Sequence, residues 1–284
     1  MRQQHKVHFG LRPQHYPKWQ QQAALPEFFE VLVDNYLFHE GGPALEHLQW
    51  FAERSRLLFH GVGLNLGGDD PLSSAYLRAL VELVVRFQPD VVSDHLCFTR
   101  SGVHESYDLL PLPLNKASLD SVCERVDEVQ QVLGRNIALE NVSRYVDYVT
   151  STMTELAFLD ELCARTGCRV VLDANNLFVN AQNFGFDPYA ALEDLGRDRV
   201  VQYHVAGHSR VDDFLHDTHD QPVEPEVWQL LCRAQCRFGN HPIVLEHDDD
   251  TAPLEVLLKE AALGEVMLNG RARQSVAVEH RHEV

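Results

Sequence analysis

The chain alternates short apolar segments with helical segments along nearly its whole length. The apolar segments predict strands at residues 8–12, 26–33, 57–59, 90–95, 136–141, 169–172, 200–204 and 242–246. Helical periodicity predicts helices at residues 71–87, 116–133, 188–195, 224–238 and 254–263. One more helix is predicted to begin with a capping box at Thr152-x-x-Glu155 and to end near Gly167. Parallel strands need such crossover helices, and about eight units favour a closed barrel over an open sheet. The sequence therefore predicts a TIM-type (β/α)8 barrel.

One barrel accounts for most of the chain. The sequence has 284 residues, and a barrel of this type typically needs about 250. Residues 1–269 contain no linker-like break, so we predict a single domain there. Residues 270–284 are polar and carry no apolar stripe, which predicts a loose C-terminal tail. The Pro-containing segment 108–113 is predicted to be a stiff loop.

Polar side chains occur where the predicted strands end. In a barrel these carboxyl ends face one mouth, where catalytic groups gather. The strand ends and the segments just after them supply His60, His95, Glu140, Asp173, Asn176, His204, Asp217, His219 and Glu246. Each of these alone is more often structural, and Asp173 is as well explained as the cap of the next helix. Their recurrence in successive units favours one shared site.

Such a gathering of carboxylates requires positive charge. Buried acids cost free energy unless cations lie among them, and few Lys or Arg residues fall at these strand ends. We therefore predict metal ions. One ion takes about four to six ligands, so the candidates imply two or three ions, with Glu140 as a bridge. Mixed nitrogen and oxygen ligands suit iron, zinc or manganese, and the residues leave that choice open.

Composition excludes several other classes of protein. The formal net charge is −18, with 42 acidic residues against 24 Lys and Arg, which argues against nucleic acid as the main partner. Apolar runs fall short of the about 18 residues of a membrane span, and the first residues lack the apolar core of a signal peptide. The six cysteines form no C-x-x-C pair and predict reduced thiols. We expect a cytoplasmic protein without a membrane partner.

A series of short motifs makes the comparison with a known family specific. In order along the chain they are HGVGLNLG (60–67), SDHL (93–96), DLLPLP (108–113), ALEN (138–141), LDANN (172–176), HVAGH (204–208), DTHD (217–220) and LEHD (245–248). The series resembles the multinuclear non-heme iron-dependent oxidative enzymes (MNIO family), relatives of the methanobactin-biosynthesis iron enzyme. The resemblance runs from about residue 8 to residue 262.

The resemblance implies an enzyme of the biosynthesis of ribosomally made, modified peptides (RiPPs). It implies two or three iron ions of mixed Fe²⁺ and Fe³⁺ character, with O₂ as co-substrate. The reaction would be the oxidation of one residue, usually Cys, in a precursor peptide. A separate partner protein that binds the leader of the precursor is also implied.

The resemblance can be carried over residue by residue. It implies one iron held by His60, His95 and Glu140, and a second held by Glu140, Asp173, His204 and Glu246. A third would be held by Asn176, Asp217 and His219. The remaining candidates for catalysis, by support of the ligands or contact with substrate, are His208, Asn141 and Asp248. This chain departs from the family at His247, where Trp is commoner, and at Asp34-Asn35, where Glu-Asn is commoner.

Three other functions compete with the oxidase. The ligand order also resembles the three-zinc endonucleases that cleave abasic DNA, in which metals activate water against a phosphodiester. The net charge of −18 counts against this hydrolase, as does Asn176, where those enzymes place His. A metal-dependent sugar isomerase would need fewer ligands. A non-catalytic metal binder is disfavoured because every expected ligand position is filled.

Overall fold

The computed structural model describes residues 5–248 and 252–279. Its strands are β1 (Val7–Gly10), β2 (Phe28–Leu32), β3 (Arg56–His60), β4 (Val91–His95), β5 (Phe98–Ser101), β6 (His104–Leu110), β7 (Ala138–Glu140), β8 (Arg169–Asp173), β9 (Val200–Val205), β10 (Ser209–Val211), β11 (Phe214–His216) and β12 (Ile243–Leu245). Its helices are α1 (Tyr16–Trp19), α2 (Pro43–Ala52), α3 (Ser74–Phe87), α4 (Lys116–Leu133), α5 (Glu155–Thr166), α6 (Ala174–Phe184), α7 (Pro188–Ala191), α8 (Pro225–Phe238) and α9 (Leu254–Glu279).

The strands close into a parallel barrel in the order β1-β12-β9-β8-β7-β4-β3-β2. These barrel strands coincide with the predicted ones to within a few residues, which confirms the predicted fold class. Helices lie between successive strands, as parallel pairing requires. Within the described residues, no helix combines the length and apolar character needed to cross a bilayer.

Two β-hairpins lie on the mouth side of the barrel and were missed from the sequence. β5 pairs antiparallel with β6 in the connection after β4, and β10 pairs antiparallel with β11 after β9. The prediction of a loop at 108–113 was therefore wrong for its first residues, because Asp108 to Leu110 complete β6. Short two-stranded ribbons carry little apolar periodicity, which explains why the sequence did not reveal them.

Three helix boundaries also differ from the predictions. A capping box beginning at Thr152 was expected, but Thr154 is the N-cap of α5 and accepts a hydrogen bond from the Ala157 amide. The helix predicted at 188–195 is shorter, because α7 ends at Ala191 and a 3-10 turn follows. The last helix, predicted to end at Leu263, continues to Glu279 and so occupies much of the segment expected to be a loose tail. Residues 280–284 of that segment lie outside the described residues.

The interior of the barrel is apolar at one end and polar at the other. The strand period of two places residues i and i+2 on the same face. Phe28, Leu58 and Val244 form a separate apolar cluster inside the barrel, with Val91 packed against it. Two residues farther along the same strands, the inward positions are occupied by Glu30, His60, Glu246 and Ser93. The same strand alternation therefore places apolar side chains at one end of the barrel interior and polar side chains at the other.

His8 lies at the apolar end and makes stability depend on pH. Its side chain is buried against the Phe28 ring, and its Nδ1 has no hydrogen-bond partner among the described residues. Burial lowers the pKa of His8 to about 4. The pKa of histidine in the unfolded chain is about 6.5. Below that pH the unfolded chain binds a proton at His8 and the folded chain does not, so the free energy of unfolding falls as the pH decreases toward 4.

We expect this histidine to remove about 2–3 kcal/mol of unfolding free energy between pH 7 and pH 4.5. The substitution His8→Phe should flatten the pH dependence by that amount, as measured by urea unfolding at the two pH values. The exposed His39, substituted in the same way, serves as the control. An unchanged pH profile in His8→Phe would show that the folded protein accommodates the protonated ring.

Candidate metal centre

The predicted ligands converge at the carboxyl end of the barrel. His60, His95, Glu140 and Asp173 are the last residues of β3, β4, β7 and β8. His204 lies in β9, and Glu246 directly follows β12. Within this region, three groups of side chains could each hold a metal ion, because their ligand atoms lie within 4.8 Å of one another. The groups are Glu30, His60 and His204; His60, His95 and Glu140; and Glu140, Asp173, His204 and Glu246.

The first predicted ligand set is brought together around one carboxylate oxygen. Glu140 Oε2 lies 3.2 Å from His60 Nε2 and 3.5 Å from His95 Nε2, and the two Nε2 atoms are 3.3 Å apart. His95 Nδ1 lies 3.1 Å from the Gly61 carbonyl oxygen and must donate to it. Ser93 Oγ donates to the Phe59 carbonyl and accepts from His60 Nδ1 at 2.8 Å. Both imidazoles therefore direct an unprotonated Nε2 at Glu140.

His204 repeats this arrangement in the second set. Its Nε2 donates to Glu30 Oε2 at 2.6 Å, so in the neutral ring, the form that binds a metal, the free lone pair lies on Nδ1. That Nδ1 lies 3.2 Å from Glu140 Oε2 and 3.3 Å from Glu246 Oε2. A carboxylate behind a ligating histidine fixes the tautomer and orientation of the ring, which is a common feature of metal sites.

These close approaches are not hydrogen bonds. Glu140 Oε2, Asp173 Oδ2 and His204 Nδ1 are buried and have no hydrogen-bond partner in the part of the chain that the structure describes. Unpaired buried acceptors are rare and costly, and here the lone pairs face one another. Metal bonds to N and O of about 2.0–2.2 Å would put adjacent ligand atoms roughly 3 Å apart. The donor set therefore fits a bound cation.

Asp173 has two roles that the sequence analysis treated as alternatives. Its Oδ1 accepts a hydrogen bond of 2.7 Å from the Asn176 amide and so caps α6. Its Oδ2 belongs to the second ligand set and receives no hydrogen bond from the described residues. One carboxylate therefore both begins the helix and faces the cluster.

The proposed third set lies at the edge of the cluster. Asp217 Oδ1 and His219 Nε2 are 2.8 Å apart, and His219 Nδ1 lies 3.9 Å from Glu246 Oε2. Asn176 lines the same cavity as these two residues, and its buried Oδ1 has no hydrogen-bond partner within residues 5–248 and 252–279. The structure thus brings Asp217 and His219 into contact and places Asn176 on the shared cavity wall.

The electrostatics of the cluster favour the binding of a cation. Burial raises the pKa of Glu140 well above its ordinary range, and burial raises the pKa of Asp173 to about 7. Burial lowers the pKa of His60 well below its usual value and that of His95 to about 4. At neutral pH these two imidazoles are therefore uncharged, as metal ligands must be.

For His204, burial is outweighed by the carboxylates of Glu246, Glu30 and Glu140, which raise its pKa well above the usual value. A proton on this ring would then supply part of the charge that a cation supplies when bound.

The three predicted catalytic residues have different positions. Asn141 is buried and brackets the Asp173 peptide, donating to its carbonyl at 3.0 Å and accepting from its amide at 2.9 Å. His208 Nδ1 donates to Asn175 Oδ1 at 2.7 Å, and Asn175 Nδ2 donates to Asp217 Oδ1 at 2.6 Å. Both residues thus lie behind proposed ligands and hold them in place.

Asp248, in contrast, lines the cavity. It lies 3.4 Å from His219 Nδ1 and accepts from Arg12 Nη2 at 2.7 Å. Asp248 therefore combines contact with a proposed ligand and access for a substrate.

Two positions at which the resemblance predicts other residues, Asp34 and His247, lie beside the cluster. Asp34 Oδ2 accepts a hydrogen bond of 3.0 Å from the Val62 amide and so holds the glycine-rich loop that follows His60. A side chain at Gly63 would collide with Asp34 and Tyr76, which explains the glycine. His247 is half-buried and lines a small cavity together with Arg12 and Glu246.

Sequence reasoning missed Glu30 and Asn175. Glu30 lies inside the apolar strand β2, and its burial becomes clear only when β2 faces His204. The available signal was an acid at an inward position, two residues after Phe28. Asn175 belongs to the LDANN motif, in which only Asp173 and Asn176 were predicted to be ligands.

We expect Glu30→Ala to weaken metal binding about 10- to 100-fold, because loss of an outer partner of a ligating histidine typically costs that much. Competition with a chelator measures the affinity. Glu27→Ala is the matched control, since Glu27 lies just before β2 and pairs at the surface with Arg56. Equal affinities in the two variants would contradict a supporting role for Glu30.

The cluster is open to solvent through a cavity of about 490 Å³. Its walls include Tyr145 and His216, whose rings stack with centroids 5.3 Å apart. The Tyr145 hydroxyl also accepts from the Asp217 amide at 2.9 Å. The hairpin β10–β11 thus forms one wall of the mouth and is tied to the proposed third set.

Solved structures with the same fold support the architecture. D-psicose 3-epimerase from Clostridium cellulolyticum superposes with a TM-score of 0.63 at 13% identity, covering 93% of this chain and 98% of that one. Endonuclease IV from Thermus thermophilus gives a TM-score of 0.60 at 17% identity, covering 95% and 99%. At these identities the likeness concerns the fold alone.

Sequence comparison identifies the family. A UPF0276 protein of Caulobacter vibrioides is 42% identical over 269 residues, covering 94% of this chain and 96% of its own length. Another, from Acaryochloris marina, is 42% identical over 260 residues, covering 91% and 93%. The family profile described as "RiPP precursor modification enzyme MbnB/TglH/ChrH" matches residues 6–268. The predicted resemblance is thereby confirmed, and the chain belongs to the MbnB/TglH/ChrH family of RiPP precursor modification enzymes.

Proposed function

We propose that this protein is a non-heme di- or tri-iron enzyme that uses O₂ to oxidise one residue, Cys in the first instance, of a ribosomally made precursor peptide. One observation carries the proposal. The acceptor atoms of Glu140, Asp173 and His204 converge at the floor of an open cavity, and none of them is hydrogen-bonded to a described residue. The family to which the chain belongs modifies precursor peptides, so a peptide is the expected substrate of this site.

The proposed assignment follows two groups of converging atoms for the first and second irons, and the resemblance alone for the third. His60, His95 and Glu140 would hold one iron, and Glu140, Asp173, His204 and Glu246 a second, with Glu140 shared. Asn176, Asp217 and His219 would hold the third. Imidazole nitrogens and carboxylate oxygens suit iron, zinc and manganese alike, and the resemblance to the multinuclear iron enzymes favours iron.

Bound iron would supply one-electron and O₂ chemistry, which protein side chains cannot perform alone. The chain's own residues hold the ligands in fixed orientations. Ser93 and the Gly61 carbonyl fix the rings of His60 and His95, and Asn141 fixes the backbone of Asp173. Such support from outer residues sets ligand geometry and affinity.

Substrate entry is assigned to the cavity above the cluster. A volume of about 490 Å³ accommodates a side chain with adjoining backbone, and the stacked Tyr145 and His216 rings provide an aromatic wall. We further propose a partner protein that binds the leader of the precursor. Binding of the leader would raise the effective concentration of the modified residue at the cavity.

The test begins with protein purified without oxygen. We expect more than one iron per chain by elemental analysis, and O₂ consumption only when the precursor is added. The precursor to test is a short Cys-containing peptide encoded beside this chain, together with any neighbouring leader-binding protein. A mass change confined to one residue of the peptide would identify the reaction.

The same preparation distinguishes the hydrolase. Full activity of a zinc-loaded form on the peptide would rule out iron oxidation. Zinc content combined with cleavage of abasic DNA would replace the proposal with the three-metal nuclease.

A further inference from the structure

A second concave surface lies beside the mouth, outside the barrel. It is a groove of about 700 Å³ between the loop after β7, the start of α5 and the segment from the end of α6 to the turn after α7. Its apolar lining is formed by Leu114, Met153, Leu156, Leu177, Phe184, Phe186, Ala190 and Ala191. We call this surface the α5–α7 groove.

The α5–α7 groove and the cavity above the cluster share one loop. Ser143 and Tyr145 line the cavity, whereas Arg144 and Asp147 line the groove. Neighbouring residues of a single short segment thus contact both spaces. The groove and the cavity therefore adjoin each other at this segment.

Large apolar side chains in and next to the groove are exposed to solvent. Phe186 in its lining is 36% exposed, and Tyr189 on the adjoining helix is 42% exposed. Val146 and Val149, which flank Asp147 in sequence, are exposed by 54% and 104%. Exposed apolar side chains in and next to a concave surface are typical of binding surfaces.

The rim of the groove is negatively charged. The exposed carboxylates of Asp147, Asp187 and Asp194 lie along it. Arg144 is a cation that faces them, and it is itself buried, packs over the Phe184 ring at 5.0 Å and lies 3.5 Å from Asp147. The surplus of negative charge at the rim fits a ligand that carries Lys or Arg. Acidic side chains of a ligand would be repelled by this rim.

We propose that the α5–α7 groove binds an extended segment of the peptide substrate, with apolar side chains in the groove and a Lys or Arg at the rim. The inference rests on the proposed function in that the ligand is the peptide on which the enzyme acts. It adds a docking site on this chain itself, separate from the cluster and from any leader-binding partner.

The experiment selects ligands with the full-length, metal-loaded protein. Phage-displayed random 12-residue peptides are enriched on it, and the strongest binders are synthesised with a fluorophore for anisotropy titrations. We expect enriched peptides to combine aromatic or aliphatic residues with Lys or Arg. The variant Ala190→Trp, which fills the groove from an exposed position, should weaken their binding by at least about tenfold.

A second variant tests charge without changing shape. Asp187 caps α7 through Oδ1, which accepts from the Tyr189 amide at 2.9 Å, and Asn retains this acceptor. Asp187→Asn should weaken binding a few fold and reduce its dependence on salt. Val266→Trp, on the exposed face of α9, is the matched control and should leave binding unchanged.

Equal binding to Ala190→Trp and the unaltered protein would overturn the proposal, as would enrichment of peptides without basic residues. Failure to enrich any peptide would also overturn the proposal and would favour a folded protein as the ligand of the groove. Binding is measured with and without iron, so that the two proposals fail separately. A protein that binds these peptides but consumes no O₂ when its precursor is added refutes the oxidation and retains the groove.

Discussion

Replacing Glu140 with Ala should remove two metal ions from the protein and abolish its activity. Glu140 Oε2 lies within 3.5 Å of His60 Nε2, His95 Nε2 and His204 Nδ1, so it is shared by the first and second ligand sets. Loss of a supporting outer residue costs about 10- to 100-fold, and loss of a shared ligand should cost at least roughly 100-fold in turnover. Elemental analysis and the O₂ electrode measure the two effects.

The variant Glu140→Gln separates metal binding from folding. It keeps the shape of the side chain but removes a carboxylate whose pKa is raised by burial. Metal-free Glu140→Gln should therefore unfold at higher urea concentration than the metal-free parent at pH 8, by about 1–3 kcal/mol. The metal-loaded comparison should have the opposite sign. A loss of stability in both forms would show that Glu140 is structural and would contradict the bridging role.

Replacing Asn176 with Ala should remove one metal ion and leave the others bound. Asn176 Nδ2 donates to the Asn141 carbonyl at 3.0 Å and to Glu140 Oε1 at 3.4 Å, and its buried Oδ1 accepts no hydrogen bond from the described residues. Only the third ligand set loses a donor in this variant. We expect a fall of about one ion per chain and a drop in turnover of at least about tenfold, since an open position for substrate is altered.

The matched control lies on the same helix. Asn183 is half-buried and pairs with the backbone of Leu215 through both amide atoms. Asn183→Ala should lower stability by about 1–3 kcal/mol, because those backbone groups lose their partner, but it should retain every metal ion. A full metal complement in Asn176→Ala would reduce the enzyme to two irons and would remove Asp217 and His219 from the ligand list.

Together the two substitutions measure how many ions the cluster holds. Glu140 is shared and Asn176 is not, so the proposed arrangement predicts a difference of one ion between the variants. A two-iron enzyme predicts loss at Glu140 alone.

Much of the fold could be predicted from local patterns. The barrel strands were recognised because each combines β-branched or aromatic residues with a polar residue at its end, and helices such as α4 were recognised from their apolar stripe. The helices α1, α2 and α6 and the two hairpins were not recognised. A short amphipathic helix after a Gly-Gly turn and a two-stranded ribbon carry too few periodic residues to stand out from loops.

The candidate ligands divide in the same way. Side chains such as His60, His95 and Asp173 end their strands, and the parallel barrel necessarily directs such ends to one mouth. Sequence alone therefore determined the barrel, the end at which its chemistry lies and the kind of atoms gathered there. Glu30 could not be assigned from sequence because its partner, His204, is 174 positions away.

Only the tertiary structure decided which lone pairs face one another, that Asp173 both caps a helix and faces the cluster, and that a groove adjoins the mouth. The physical reason is the range of the interactions. Strand alternation and helix periodicity are local properties of the chain, whereas a ligand set, a tautomer and a groove arise from contacts between segments that meet only when the barrel closes.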